Sequence, residues 1–150
     1  MSLQLLRAAA ADREVLLGFI EAFNLEQGYA FERGRGGRVL DELLSDPALG
    51  GAWLLEVDGT AAGYLVLGFG FSLEYGGRDA FLDEFYLVPE ARGRGHGRAA
   101  LEAALDEARR LGLQAVHLEV EDDNPRARRL YAATGFAGNE RRLLSRRLDR

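Results

Sequence analysis

Apolar and polar residues change period several times along this chain, and each change marks an element. A short apolar stretch over residues 3–7 reads as an edge strand. Asp12 stands as an N-cap before Val15, Leu16, Phe19, Ile20 and Phe23, which recur at helical spacing. Residues 24–37 are polar and glycine-rich with interspersed aromatics, the pattern of a loop or broken helix. Val39, Leu40, Leu43 and Leu44 predict a second short helix that stops before Pro47. Residues 53–57 and 62–71 read as strands joined by Asp58-Gly59, a two-residue hairpin signal. After a turn at Gly76-Gly77, residues 81–88 form a third strand, nearly all apolar but interrupted by Asp83 and Glu84.

Pro89 ends that strand, and a run rich in arginine and glycine follows at 92–98. Ala100, Leu101, Ala104, Leu105, Ala108 and Leu111 then share one helical face, with Gly112 as the stop. Val116, Leu118 and Val120 alternate with His117, Glu119 and Glu121, as in a strand. Asn124 suits an N-cap, Pro125 a first helical position and Gly135 a C-terminal stop, around a helix carrying Ala127, Leu130 and Tyr131. Residues 143–148 predict a last strand. No repeat or linker interrupts the chain, so 1–150 reads as a single α/β domain, largely antiparallel in its first half.

Composition narrows the chemistry. The chain has no Cys and no Lys, so all 19 positive side chains are Arg. That excludes disulfides, a Cys nucleophile, a Schiff-base lysine and the lysine of a Walker loop. Two His disfavour a His-based metal site or a Ser-His triad, and no metal site is expected. No apolar run approaches 18 residues and no signal-peptide pattern opens the sequence, which points to the cytoplasm and away from membranes. The net charge of −5 divides unevenly: residues 1–91 carry −9 and residues 92–150 carry +4. An acidic part can draw a cationic substrate and a basic part an anionic one.

The segment Arg92-Gly93-Arg94-Gly95-His96-Gly97-Arg98 lies between a strand and a helix. Alternating glycines let backbone N–H groups converge there, and the helix N-terminus adds positive potential, together an anion site for phosphate or pyrophosphate. It is not a Walker loop, which needs Gly-Lys-Ser/Thr, nor a dinucleotide fingerprint, whose G-x-G-x-x-G spacing breaks at Arg98.

The run 81–97, FLDEFYLVPEARGRGHG, resembles the acetyl-CoA-binding motif of GNAT N-acetyltransferases, whose loop pattern Arg/Gln-x-x-Gly-x-Gly/Ala is met by Arg92, Gly95 and Gly97. A second motif of that family is matched by Asn124-Pro125, Ala127, Leu130-Tyr131 and Gly135-Phe136. The strand Leu-Asp-Glu-Phe is most similar to the diamine, polyamine and thialysine acetyltransferase branch, with Asp83 where that branch often has Glu and His96 where the family commonly has an aliphatic residue. The resemblance implies a mixed α/β acyl-CoA N-acyltransferase fold with splayed central strands and helices on both faces. It implies acetyl-CoA as cosubstrate, its pyrophosphate on the amides of Gly93, Arg94, Gly95, His96, Gly97 and Arg98, and its pantetheine arm on the backbone of Tyr86, Leu87 and Val88. Asn124, Ala127 and Tyr131 complete the implied cofactor site, and a homodimer is implied as well.

The implied reaction is attack of an amine on a thioester. An alkylammonium near pKa 10 must first lose a proton. Asp83 and Glu84 are the candidate bases; as neighbours on a regular strand they are expected on opposite faces. Tyr131 is the candidate acid for the leaving thiolate. Without Cys an acyl-cysteine cannot form, which favours direct transfer in a ternary complex. Phe23, Tyr29 and Phe31 beside Glu26 and Glu32, and Tyr75 beside Glu74, are further candidates for an ammonium site. A small cationic amine is the expected acceptor. Alternatives are a protein or peptide N-acetyltransferase, a non-catalytic acyl-CoA-binding module, a nucleotide-dependent oxidoreductase and a nucleic-acid-binding protein. The net negative charge and the lack of an aromatic in 92–98 weigh against the last.

Overall fold

In residues 2–149, which the computed structural model describes, the predicted hairpins become one sheet. Its strands are β1 (Leu3–Arg7), β2 (Gly50–Val57), β3 (Thr60–Ser72), β4 (Gly77–Leu87) and β5 (Val116–His117), in that spatial order. The first three pairings are antiparallel; β5 pairs with β4 in parallel. Asp58 and Gly59 both take positive φ, 50° and 82°, the backbone of a type I′ turn between β2 and β3.

Helices α1 (Arg13–Gln27) and α2 (Arg33–Ser45) lie between β1 and β2 in sequence. The glycine-rich stretch read as a loop is mostly helical. Glycine costs about 1 kcal/mol per helical position, and two observations offset that here. The Glu32 carboxylate caps α2 by accepting from the N–H groups of Gly34 and Arg35. Gly36 and Gly37 carry no side chain where the Phe31 ring and the Arg13 guanidinium come close.

α1 and α2 cover one face of the sheet through a core of Leu16, Leu17, Leu40, Ala52, Leu54, Tyr64, Val66 and Tyr86. Phe19 and Phe23 of α1 close on Tyr64 and Tyr86 with ring centroids 6.1–6.4 Å apart, stacked, tilted or edge-on. The residues that alternate with these, Trp53, Leu55, Leu65 and Leu67, point to the opposite face and are buried. α3 (His96–Arg110) contacts β1, and Glu107 of α3 accepts a hydrogen bond from the Trp53 indole.

Two pairings depart from the sequence reading. The strand expected over 116–121 pairs with β4 only at Ala80–Val116 and Phe81–His117, so beyond Phe81 this edge of β4 has no β5 beside it. Residues 143–148 form no strand. The leucines Leu143, Leu144 and Leu148 are exposed, without the alternating burial that pairing would give.

The described residues divide into two compact units, separated in sequence between Glu119 and Val120. The second contains α4 (Pro125–Ala133). Asn124 caps it by accepting from the Ala127 N–H at 3.1 Å, and Pro125 opens its first turn, as the sequence predicts. No helix among the described residues is long and apolar enough to cross a membrane.

Candidate active site

The register of β3 against β4 shifts by one residue in the middle of the hairpin. Val66 faces Glu84 and Leu67 faces Leu82, so Asp83 is an extra residue without a partner on β3. This is a β-bulge, and it breaks the alternation on which the opposite-face expectation rested. Glu84 accepts a 2.7 Å hydrogen bond from the Tyr64 hydroxyl, within the α1–α2 core. Asp83 lines a groove with Val66, Val39 and Leu43, on the same side of the sheet. The two carboxylates therefore share a face, and the expectation of opposite faces is corrected.

They differ in environment. Glu84 is mostly buried, and burial pushes its carboxyl above the ordinary range; the Tyr64 hydrogen bond opposes that rise and the Asp83 charge adds to it. Tyr64 is itself raised, chiefly by burial and then by the charge of Glu84. Asp83 is exposed.

The groove is an open one of about 380 Å³ between α2 and the β3–β4 hairpin. Its walls are Val39 and Leu43 from α2, Leu49, Val66 and Phe81, with Gly68 on the floor and two carboxylates, Glu42 and Asp83, on the lining. Glu42 was not singled out in the sequence. Its place three residues after Val39 and next to Leu43 carried the signal, since i and i+3 share a helical face.

The loop at 92–98 forms as predicted. Gly93 and Gly95 adopt φ of 75° and 83°, and Gly95 is the N-cap of α3 with no side-chain cap. The first helical bond within α3 is Ala99 N–H to Gly95 O, so the N–H groups of His96, Gly97 and Arg98 precede the ladder. The His96 side chain is buried, and no buried side-chain nitrogen or oxygen among the described residues lacks a partner. Arg98 pairs with Glu102 at 3.1 Å.

Arg92 has a different geometry. Its Nε donates to Leu87 O at 2.9 Å, its Nη2 donates to both Glu26 carboxylate oxygens at 2.9 and 2.7 Å, and its guanidinium lies 5.6 Å from the Tyr86 ring centre. It fastens the last turn of α1 to the end of β4. Along β4, Val88 N–H bonds Ala62 O across the ladder. By antiparallel alternation the polar backbone groups of Phe85 and Leu87 face the other way, toward the edge that β5 has left.

Several weaker candidates have structural partners. Glu26 holds Arg92, Glu32 caps α2, and Phe23 packs on Tyr64 and Tyr86. Phe31 packs against the α1–α2 core. The Tyr75 ring meets the His117 ring edge-on at 4.9 Å, while His117 Nε2 lies 3.0 Å from Asp79 Oδ2. That His–Asp pair was not predicted, because its partners lie 38 residues apart. In the second unit Tyr131 packs edge-on against Phe136 at 6.0 Å, and burial raises its hydroxyl pKa.

A mixed sheet that opens on one side of its fourth strand, beside a glycine-capped helix N-terminus, defines an acyltransferase-like α/β architecture. The model of the acetyltransferase (GNAT) family matches residues 16–136, and the chain belongs to that family. A mycothiol acetyltransferase of Beutenbergia cavernae is 40% identical over 94 residues, 61% of this chain and 29% of that protein. The chain thus spans less than a third of that relative. A thialysine N-epsilon-acetyltransferase of Bos taurus is 35% identical over 88 residues, 56% of this chain and 52% of that protein. Among solved structures, an integron cassette protein from the mobile metagenome of Cole Harbour Salt Marsh superposes with a TM-score of 0.87 at 35% identity, covering 98% of this chain and 91% of that one.

Proposed function

We propose that this protein is an acetyl-CoA-dependent N-acetyltransferase that acetylates a small cationic primary amine by direct attack within a ternary complex. The observation that carries the reading is one strand, β4, that has an open edge and two carboxylates at its bulge and leads directly into a glycine-capped helix start. The donor set there fits a pyrophosphate: three N–H groups ahead of the helical ladder and the positive end of a 15-residue helix.

Acetyl-CoA supplies an acetyl group activated as a thioester. The N–H groups of residues 93–98 hold its phosphates, and the open side of β4 along Tyr86, Leu87 and Val88, to which the backbone of Phe85 and Leu87 turns, receives its arm. Arg92 acts through structure, keeping the strand end and α1 in place. Asn124 and Ala127 order the start of α4, and the family motif that they share with Tyr131 supports a cofactor role for all three. Glu84 accepts the ammonium proton, since a carboxylate raised by burial is a better base at neutral pH. Asp83 draws the cation toward it. Tyr131 Oη carries the proton for the leaving thiolate. In this reading 1–150 works as one domain, consistent with a family match that crosses both compact units, and functions as a cytoplasmic homodimer.

Free-thiol release from acetyl-CoA, measured over a panel of amines, tests the reading. Amine-dependent release together with a rise in melting temperature on adding acetyl-CoA is the expected result. A rise in melting temperature without release on any amine would make the protein an acyl-CoA-binding module.

A further inference from the structure

The groove beside Asp83 has a composition that a generic cation site does not need. Val39, Leu43, Val66 and Phe81 make its walls apolar, and its charged groups are two carboxylates, Glu42 and Asp83. Among the described residues no arginine lies within ion-pair distance of either carboxylate, whereas the acids of the neighbouring α1–α2 segment, such as Glu14, Glu21, Glu26 and Asp41, are paired. Val39 and Leu49 are 59% and 42% exposed, so an apolar body lying in the groove covers apolar surface that water now meets, whereas the further charges of a polyamine or the hydroxyls of an amino sugar would set polar groups against it. An ammonium on an apolar body satisfies both parts of the lining.

The floor adds a separate observation. Gly68 has an ordinary backbone, and a methyl group built there meets nothing within 4 Å. The glycine leaves empty volume directly under the site, where a larger residue would fit the fold.

We propose that this groove is the acceptor subsite and that its substrate class is a primary monoamine on an alkyl or arylalkyl body, the ammonium held between Asp83 and Glu42 and the body lying along Val39, Leu43 and Phe81 over Gly68. The proposal rests on the acetyltransferase reading above. It places the amine next to the β4 bulge, on the face that also carries Glu84. Glu42 is then a specificity-determining residue contributed by α2.

The test uses the full chain in two assays. In the first, phenethylamine, hexylamine, spermidine and glucosamine are compared as acceptors by thiol release. The expected kcat/KM for the two apolar amines exceeds that for spermidine and glucosamine by at least about tenfold, the size of discrimination available from an apolar pocket. Glu42→Gln is expected to raise the KM for hexylamine several-fold and leave the KM for acetyl-CoA unchanged. In the second assay, hexylamine alone raises the melting temperature of the wild type and not of Gly68→Leu, which fills the floor. Acetyl-CoA still raises the melting temperature of Gly68→Leu, which shows that the variant is folded. A preference for spermidine or glucosamine, or a hexylamine response intact in Gly68→Leu, overturns the groove proposal and leaves the acetyltransferase reading standing. No thiol release with any amine overturns the reading itself.

Discussion

Replacing Tyr64 by Phe removes one hydroxyl and keeps the ring that stacks with Phe19 and meets Phe23 and Tyr86. The hydroxyl is the donor to Glu84 at 2.7 Å, and it holds that carboxyl below the position burial alone would give. A hydrogen bond to a charged group contributes about 1.5–3 kcal/mol. At 1.36 kcal/mol per tenfold change, its loss lowers the ionised fraction of Glu84 about 10–100-fold at any pH on the acidic side of its titration. If Glu84 accepts the ammonium proton, the acidic limb of kcat moves to higher pH in Tyr64→Phe, while the rate above the limb approaches that of the wild type. The assay is thiol release with saturating amine across pH, alongside a melting curve for the same preparation. Glu84→Gln keeps an acceptor for the hydroxyl and removes the base, so kcat should fall by about 10² or more at all pH values. The sign for stability follows from the same geometry. Because the folded protein holds the Glu84 proton more tightly than the unfolded chain, stability falls as pH rises above the ordinary value of 4.5, and Glu84→Gln should lose less across that window. An unmoved acidic limb in folded Tyr64→Phe refutes Glu84 as the base; a loss of kcat in Asp83→Asn with none in Glu84→Gln transfers the role to Asp83.

Two further outcomes follow from the loop and from α4. A hundredfold excess of acetyl-CoA over Kd should stabilise the fold by about 2.7 kcal/mol. Gly95→Asp should abolish that gain and Gly95→Asn largely retain it, since both residues tolerate the φ of 83° and only Asp opposes a phosphate; equal melting shifts in the two would detach the loop from the ligand. Tyr131→Phe should lower kcat by about 10² with the acetyl-CoA KM little changed if its hydroxyl serves the leaving thiolate, whereas an unchanged kcat would leave Tyr131 as packing against Phe136.

The elements most legible in the sequence were those fixed by local chemistry. Asp58-Gly59 required a tight turn, Pro125 after Asn124 required a helix start, and Gly93 and Gly95 gave the chain its left-handed steps before α3. Helix α2 was only half legible, because what makes its glycines acceptable is the approach of the Phe31 ring just ahead of its cap and of Arg13 from α1, which helical periodicity does not record. The length of β5 was not legible, since alternation at 116–121 describes a strand's faces and not whether β4 runs beside it. The site was legible as a set of residue types and not as a geometry. Asp83 and Glu84 stood out as acids in an apolar strand, but which way each points depends on a register shift recorded in the pairing with β3. Glu42 became visible only once α2 was laid over that hairpin.

The extra residue at 83 also changes what kind of mutation this strand can absorb. Upstream of it the odd-numbered residues Asp79 and Phe81 share a side of the sheet with Gly70 and Gly68; downstream the even-numbered Glu84 and Tyr86 take that side with Val66 and Tyr64. The strand is therefore two reading frames spliced at one position. Substitutions on either side can drift independently, but a single-residue deletion near the splice would restore an uninterrupted ladder and remove the bulge that sets two acids side by side on one face. Insertions and deletions, ordinarily tolerated at hairpin tips such as 73–76, should thus be selected against in 82–84 more strongly than exposure alone would suggest. In comparing related sequences, a gap placed in that interval marks a change of site geometry and not a change of length.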